Sequence, residues 1–264
     1  MEPSLAVALW WLVFGGTHVG LATAPARRAI VDRIGQRGFE VLYVAVAVVS
    51  FAGLMHAFAV RRFAGAPGLA LASVEPVRWL LLAVSFAGVA LAALSFAAYP
   101  RSPYPPYGAR VRPPYGVERI TRHPFFAGIG MLAAAHALLA THLVGTVFFA
   151  GLLVFLAFGV RHQERKIRAQ RGPAYDAYAA ATSTVPFAAV LAGRQRIAWH
   201  EIGWRNVATA AAVALALRLV HSSILAAGGA YAVAVVVAGA GLLTLQALRR
   251  ARRDAAPELA LSSR

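Results

Sequence analysis

Cysteine is absent from the 264 residues. That excludes disulfides, thiolate metal ligands and a cysteine nucleophile. Charge is also scarce: 14% of residues are charged, where a soluble domain carries about a quarter. Acidic residues are the scarcest, with 10 Asp and Glu against 26 Lys and Arg. On a soluble chain that balance would suggest a nucleic-acid partner, but the placement of the basic residues gives another cause and no nucleic acid is expected.

What remains is apolar, at 59% of the chain. Uncharged runs recur at Ser4–Ala26, Val41–Val60, Trp79–Pro100, Pro124–Val160, Val207–Leu217 and Leu219–Leu248. A helix needs about 20 apolar residues to cross a bilayer core. Pro124–Val160 is too long for one span and breaks near Thr141-His142, while Val207–Leu248 breaks at Gly228-Gly229. The chain therefore reads as an all-α polytopic membrane helix bundle. About seven transmembrane helices are expected, near 4–23, 40–60, 79–99, 124–141, 143–160, 207–226 and 230–248.

With the N-terminus outside, the loops sort by charge. The inside segments hold Arg27 to Arg37, Arg101 to Arg122, Arg161 to Arg205 and Arg249 to Arg264, whereas the outside segments hold only Arg61, Arg62 and Arg78. The positive-inside rule predicts this asymmetry. The first run lacks a preceding basic region and a clear cleavage site, so it reads as a retained helix. Arg outnumbers Lys 25 to 1 and Ala is abundant, which points to a GC-rich bacterial genome and to the bacterial inner (plasma) membrane. Residues 1–248 read as one membrane domain and 249–264 as a basic, disordered cytoplasmic tail. Between the third and fourth spans, Tyr99–Arg122 is rich in Pro, Tyr and Arg. It is expected to be extended and to lie at the headgroup level.

Ionisable groups inside a membrane are costly, so each is a functional candidate. His18, His56, His136, His142 and His221 lie in or beside spans. A neutral imidazole can hydrogen-bond a neighbouring helix, and it is also a common ligand of haem iron. A haem needs room, and small residues flank His18 (Gly15-Gly16-Thr17-His18-Val19-Gly20) and His136 (Ala133-Ala134-Ala135-His136-Ala137). Close helix packing through Gly16 and Gly20 is the alternative use of those small residues. At 1.5 Å per residue, His56, His136 and His221 fall roughly 6–9 Å to the outer side of the midplane and His18 about 7 Å to the inner side. Arg218, three residues before His221, is a basic group within a span that could meet a haem propionate, pair with a carbonyl or line a wet cleft.

Several strings resemble the NnrU family, which includes 15-cis-zeta-carotene isomerases. They are Thr17-His18-Val19-Gly20-Leu21-Ala22, Ile34-Gly35-Gln36-Arg37-Gly38-Phe39, Arg119-Ile120-Thr121-Arg122-His123-Pro124, Ala134-Ala135-His136, Thr182 to Ala189 and Gly193-Arg194-Gln195. The resemblance implies a membrane protein binding haem b. In the isomerase branch it also implies cis–trans isomerisation of a hydrophobic polyene. It places the haem's histidine ligands on His18 and His136, with a further histidine on or near His221. Depth favours His221 or His56 as the partner of His136, and the family pattern favours His18.

The bacterial branch is associated with denitrification and nitric oxide metabolism, so a non-catalytic membrane factor is an alternative. A second alternative comes from Arg122-His123-Pro124, Phe125, Gly128, Glu164, Gly172, Tyr175, Tyr178 and Val185-Pro186. These resemble isoprenylcysteine carboxyl methyltransferases, in which the region binds S-adenosylmethionine.

Overall fold

The computed structural model describes residues 2–99, 102–103, 111–227, 229–235 and 237–238. Most of the seventh expected span, the basic tail and much of the Pro-rich loop lie outside the described residues. Ten helices are delimited among those described: α1 (Pro3–Ala22), α2 (Ala24–Ala59), α3 (Glu75–Ala98), α4 (Pro124–Leu139), α5 (Leu143–Arg171), α6 (Pro173–Ala181), α7 (Ala188–Leu191), α8 (Trp199–Ile202), α9 (Trp204–Leu219) and α10 (His221–Ala226).

Their ends follow from local chemistry. Proline occupies the first turn of α1, α2, α3, α4 and α6, where its missing N–H is no loss. The Glu2 carboxylate caps α1 by accepting from the Leu5 N–H at 2.9 Å. Gly172, at φ 57, ends α5 immediately before Pro173 opens α6, a position where glycine avoids the Cβ clash.

α1, α2, α3 and α5 are long and apolar enough to cross a bilayer, and α4 is a shorter apolar helix. Large apolar side chains face outward on them, including Leu12, Val41, Val49, Leu80 and Phe96, each at least 62% exposed. On a water-facing surface this would be a large unpaid apolar area; in hydrocarbon it is the required exterior. The protein is a helical membrane protein.

Several helix bounds differ from the expected spans: the expected 207–226 span is divided into α9 and α10, and α3 starts at Glu75. α2 begins at Ala24 rather than near 40, with a break at Gly35 (φ 75, ψ 168) inside it. α5 runs on to Arg171, so the helical pattern of residues 161–171 and its break at Gly172-Pro173 are as the sequence implies.

Among the described residues the buried apolar side chains form three clusters: Leu91, Ala98, Val117, Ile120 and Ile202 make one, Ile167, Tyr175 and Tyr178 another, and the third joins α1, α2 and α5. Val7, Trp11 and Phe14 of α1 pack with Leu54, Met55 and Ala57 of α2 and with Val144 and Phe148 of α5. The indole N–H of Trp11 donates to the Phe148 carbonyl at 2.9 Å. α3 and α4 meet backbone to backbone at Gly88 and Gly128: a Cβ on Gly88 would stand 2.6 Å from the Gly128 carbonyl oxygen. The expected close packing through Gly16 and Gly20 is not found. Both are exposed, and a Cβ on either would meet nothing within 4 Å.

The helix ends sort into two layers. At one, the 66–70 loop pairs with residues 140–143 through Leu143 N–H to Ala66 O (2.8 Å), Gly68 N–H to Thr141 O (2.9 Å) and Ala70 N–H to Ala140 O (3.0 Å). At the other, the Arg-rich segments that follow α3 and α5 interlock. The sparse-arginine and rich-arginine loops are thus at opposite ends of the bundle.

Candidate functional site

His136 lies toward the loop-paired end of α4. Its Nδ1 is 2.8 Å from the Leu132 carbonyl oxygen. A carbonyl only accepts, so Nδ1 carries the proton and Nε2 keeps its lone pair. A metal-ligating histidine typically donates its other ring N–H to such an acceptor. The ring stands 4.9 Å from that of Phe149 and 6.1 Å from that of His221, centroid to centroid, the two imidazoles being inclined by 40°. Two imidazoles sharing one metal at about 2 Å per nitrogen have centres about 6 Å apart. Ala133 and Ala135 beside His136 are fully buried.

His18 has other neighbours. Its Nε2 is 3.0 Å from the Tyr43 hydroxyl, which also lies 3.2 Å from the His18 carbonyl oxygen. Nδ1 is buried and has no hydrogen-bond partner among the described residues. The ring packs on Phe14, Tyr43 and Phe155. Phe149, at His136, and Phe155, at His18, are six residues apart on α5. Six residues separate them by about 9 Å along the axis and about 120° around it. His136 and His221 are therefore brought together, and His18 sits on a different face of α5.

His56 is exposed, and His142 caps the start of α5. Arg218, expected as a buried cation, is exposed as well. α9 stops at Leu219 and α10 restarts at His221, so the side chain is carried to the outside of the bundle, where it needs no anion inside the protein.

The arginine-rich end holds the second group of candidate residues. Arg122 Nε donates to Glu164 Oε1 at 2.5 Å, and its Nη1 donates to the Ala179 carbonyl at 3.2 Å. His123 Nε2 stands 3.0 Å from the same Glu164 oxygen. The strings flanking this cluster clasp one another through Arg122 N–H to Ser183 O, Phe187 N–H to Ile120 O, and Thr121 Oγ1 to Thr184 O at 3.0 Å. Tyr175 is fully buried, and burial pushes its hydroxyl up to about 12, with the Glu164 charge adding to the shift. Within the set read as cofactor-binding, Arg122, His123 and Glu164 thus satisfy each other's charge and Tyr175 and Tyr178 are buried, while Val185 is exposed.

Sequence reasoning missed two further pairs. Arg119 donates through Nε (2.8 Å) and Nη2 (2.7 Å) to the Glu201 carboxylate, which also accepts the Gly116 N–H at 2.8 Å. The Arg119 hydrogen bond holds that carboxyl down to about 2. Arg112 meets Glu118 at 2.9 Å, and burial pushes the Glu118 carboxyl up to about 7 against the pull of Arg112 and the Tyr115 N–H. Partners 82 residues apart leave no signature in spacing. The available signal was the scarcity of acid: most Asp and Glu in such a chain must have a cation waiting.

Among known proteins, the chain is 29% identical over 204 residues to the chloroplastic 15-cis-zeta-carotene isomerase of Arabidopsis thaliana, covering 74% of this chain and 52% of the relative. It is 26% identical over 199 residues to the isomerase of the same name from Zea mays, covering 73% of this chain and 52% of the relative. The chain thus spans about half the length of these curated relatives. No solved structure matches. The model of the NnrU protein family matches residues 6–229, through all four long apolar helices and the clasped strings, and the chain belongs to the NnrU family.

Proposed function

We propose that this chain is a membrane-embedded cis–trans isomerase of a carotenoid-like polyene, working with a haem b held by His136 and His221. The observation that carries the reading is the His136–His221 pair, 6.1 Å between ring centres, with the proton of His136 committed to Leu132. The kinship with two 15-cis-zeta-carotene isomerases supports the substrate class.

A haem held by His136 and His221 would supply an iron that could lower the order of one polyene double bond without net redox change, at the position that the exposed His221 would give up. The chain's own residues do the rest. Leu132 fixes the tautomer and azimuth of His136. Ala133, Ala135 and Ala137 leave little side-chain bulk on α4 around it, and Phe149 closes one side. α4 and the first half of α5 contain no Asp or Glu, so neither stretch brings a carboxylate to the site as a proton donor or acceptor. A polyene reaches such a site from the hydrocarbon layer, in which it dissolves.

The test is an absorption spectrum and pyridine haemochrome of the purified protein, followed by incubation of the haem-loaded protein with 15-cis-zeta-carotene. A b-type spectrum with loss of the 15-cis isomer supports the reading. A b-type spectrum with no turnover leaves a non-catalytic haem protein, and no haem at all overturns the proposal.

A further inference from the structure

We propose that residues 24–34 form a separate in-plane helix on the membrane surface at the arginine-rich end, where it binds acidic phospholipid headgroups.

The segment is bracketed by two breaks. Thr23, between α1 and α2, is extended at φ −65, ψ 145, and Gly35 takes φ 75, ψ 168 inside α2. Neither belongs to a helix, so the 11 residues between them are free of the axes on both sides. Their position follows from length. α1 has 20 residues, about 30 Å, which is the thickness of the hydrocarbon core. Its last residue, Ala22, therefore reaches the surface. After Gly35, residues 36–59 are long enough to cross back. What lies between is held at the interface.

The sequence of the segment suits that place. Ala26, Ile30 and Ile34 recur every fourth residue and share one face, while Arg28 and Asp32 lie on the other. Ile34 is 51% exposed, an apolar side chain with no protein over it. Arg28, Arg33 and Arg37 are exposed and form no ion pair among the described residues. Arg27 is exposed as well, donates to Gln36 Oε1 at 3.1 Å and lies over the Phe39 ring. Ala26 and Ile30 are half-buried, so the stripe is open chiefly at Ile34; a short amphipathic helix with such a partly open apolar stripe and arginines free of ion pairs lies in the headgroup layer, apolar side down. Charge complementarity selects acidic lipid over neutral lipid.

The absence of cysteine gives a clean test. Ile30→Cys, Ile34→Cys and Asp32→Cys are each spin-labelled in the full-length protein, which is then placed in vesicles of phosphatidylcholine with or without phosphatidylglycerol. Labels at 30 and 34 should be several-fold more accessible to oxygen than to a water-soluble nickel chelate, and the label at 32 should show the reverse. Native mass spectrometry of the unlabelled protein should retain phosphatidylglycerol in preference to phosphatidylcholine. Arg28→Gln/Arg33→Gln/Arg37→Gln should lose that preference while keeping its fold. Equal chelate accessibility at 32 and 34 would put the segment in water. Shielding of 34 from both reagents would put it against protein. Either result, or a wild type with no lipid preference, overturns the proposal.

Discussion

His136 and His221 stand with their ring centroids 6.1 Å apart, on α4 and at the start of α10, 85 residues distant in sequence. If they share a haem iron, removing either should change the iron differently. His136→Ala removes the buried, oriented ligand and should lose bound haem while the protein still inserts. His221→Ala removes the exposed ligand and should leave a weakened five-coordinate haem, seen as a shift from low-spin to high-spin absorption. His18→Ala should retain haem, because its Nε2 is engaged by Tyr43. Full retention in His136→Ala, or loss only in His18→Ala, would move the site to α1.

The close backbone approach of α3 and α4 at Gly88 and Gly128 predicts a stability effect. A methyl on Gly128 would press on the Gly88 carbonyl oxygen and the Ala92 N–H, neither of which can rotate away. Gly128→Ala should lower stability by about 1–3 kcal/mol, the usual cost of overpacking, read as a lower melting temperature in detergent. Gly16→Ala meets nothing within 4 Å and should be close to neutral. Equal melting temperatures for the two variants would mean that α3 and α4 are less tightly apposed than their backbones imply.

Both results bear on how much the sequence disclosed. Apolar runs separated by charge made the helices legible, since a span must be about 20 residues long whatever its neighbours. Loop charge made the two ends of the bundle legible for the same reason. Helix-to-helix contacts were not, because a small residue reads alike whether it faces a backbone, as Gly128 does, or lipid, as Gly16 does. Depth along a helix could be counted, and it grouped His136 with His221. The face of the helix could not, and the face is what separates His18 from His136 on α5. The 182–195 string was visible as an unusual sequence, but its partner, the 119–123 string, is set by tertiary clasping that no local pattern encodes.

Glu164 joins that clasp to α5. Its carboxylate serves Arg122 and His123 together, so Glu164→Gln leaves the Arg122 cation without its anion. Breaking a partly buried pair from one side should cost about 2–4 kcal/mol. Haem content below the melting temperature should be unchanged, since Glu164 lies at the opposite end of the bundle from His136. Calorimetry with S-adenosylmethionine should show no binding to the wild type. Micromolar binding that Glu164→Gln abolishes would instead make the arginine-rich end the reactive site.

Glu201 and Glu118 predict opposite limbs of the pH–stability profile. Glu201 is held down to about 2, from an ordinary value of 4.5, by the Arg119 fork. The unfolded chain takes up that proton first as pH falls. The contribution of Glu201 is therefore complete above pH 4.5 and is lost as pH drops through 2. Glu118 is raised from 4.5 to about 7 by burial. Between those values the folded protein keeps a proton that the unfolded chain has released. Its favourable contribution is therefore complete below pH 4.5 and is lost as pH rises through 7. Melting temperatures followed by tryptophan fluorescence from pH 3 to 8 should separate the two. Glu201→Gln should flatten the acid limb and lower stability above pH 5. Glu118→Gln is neutral at every pH and can still accept from Arg112 and the Tyr115 N–H. It should flatten the fall between pH 5 and 7 and gain on the wild type as pH rises. An unchanged slope there in Glu118→Gln would mean that the carboxylate is ionised throughout, with Arg112 outweighing its burial.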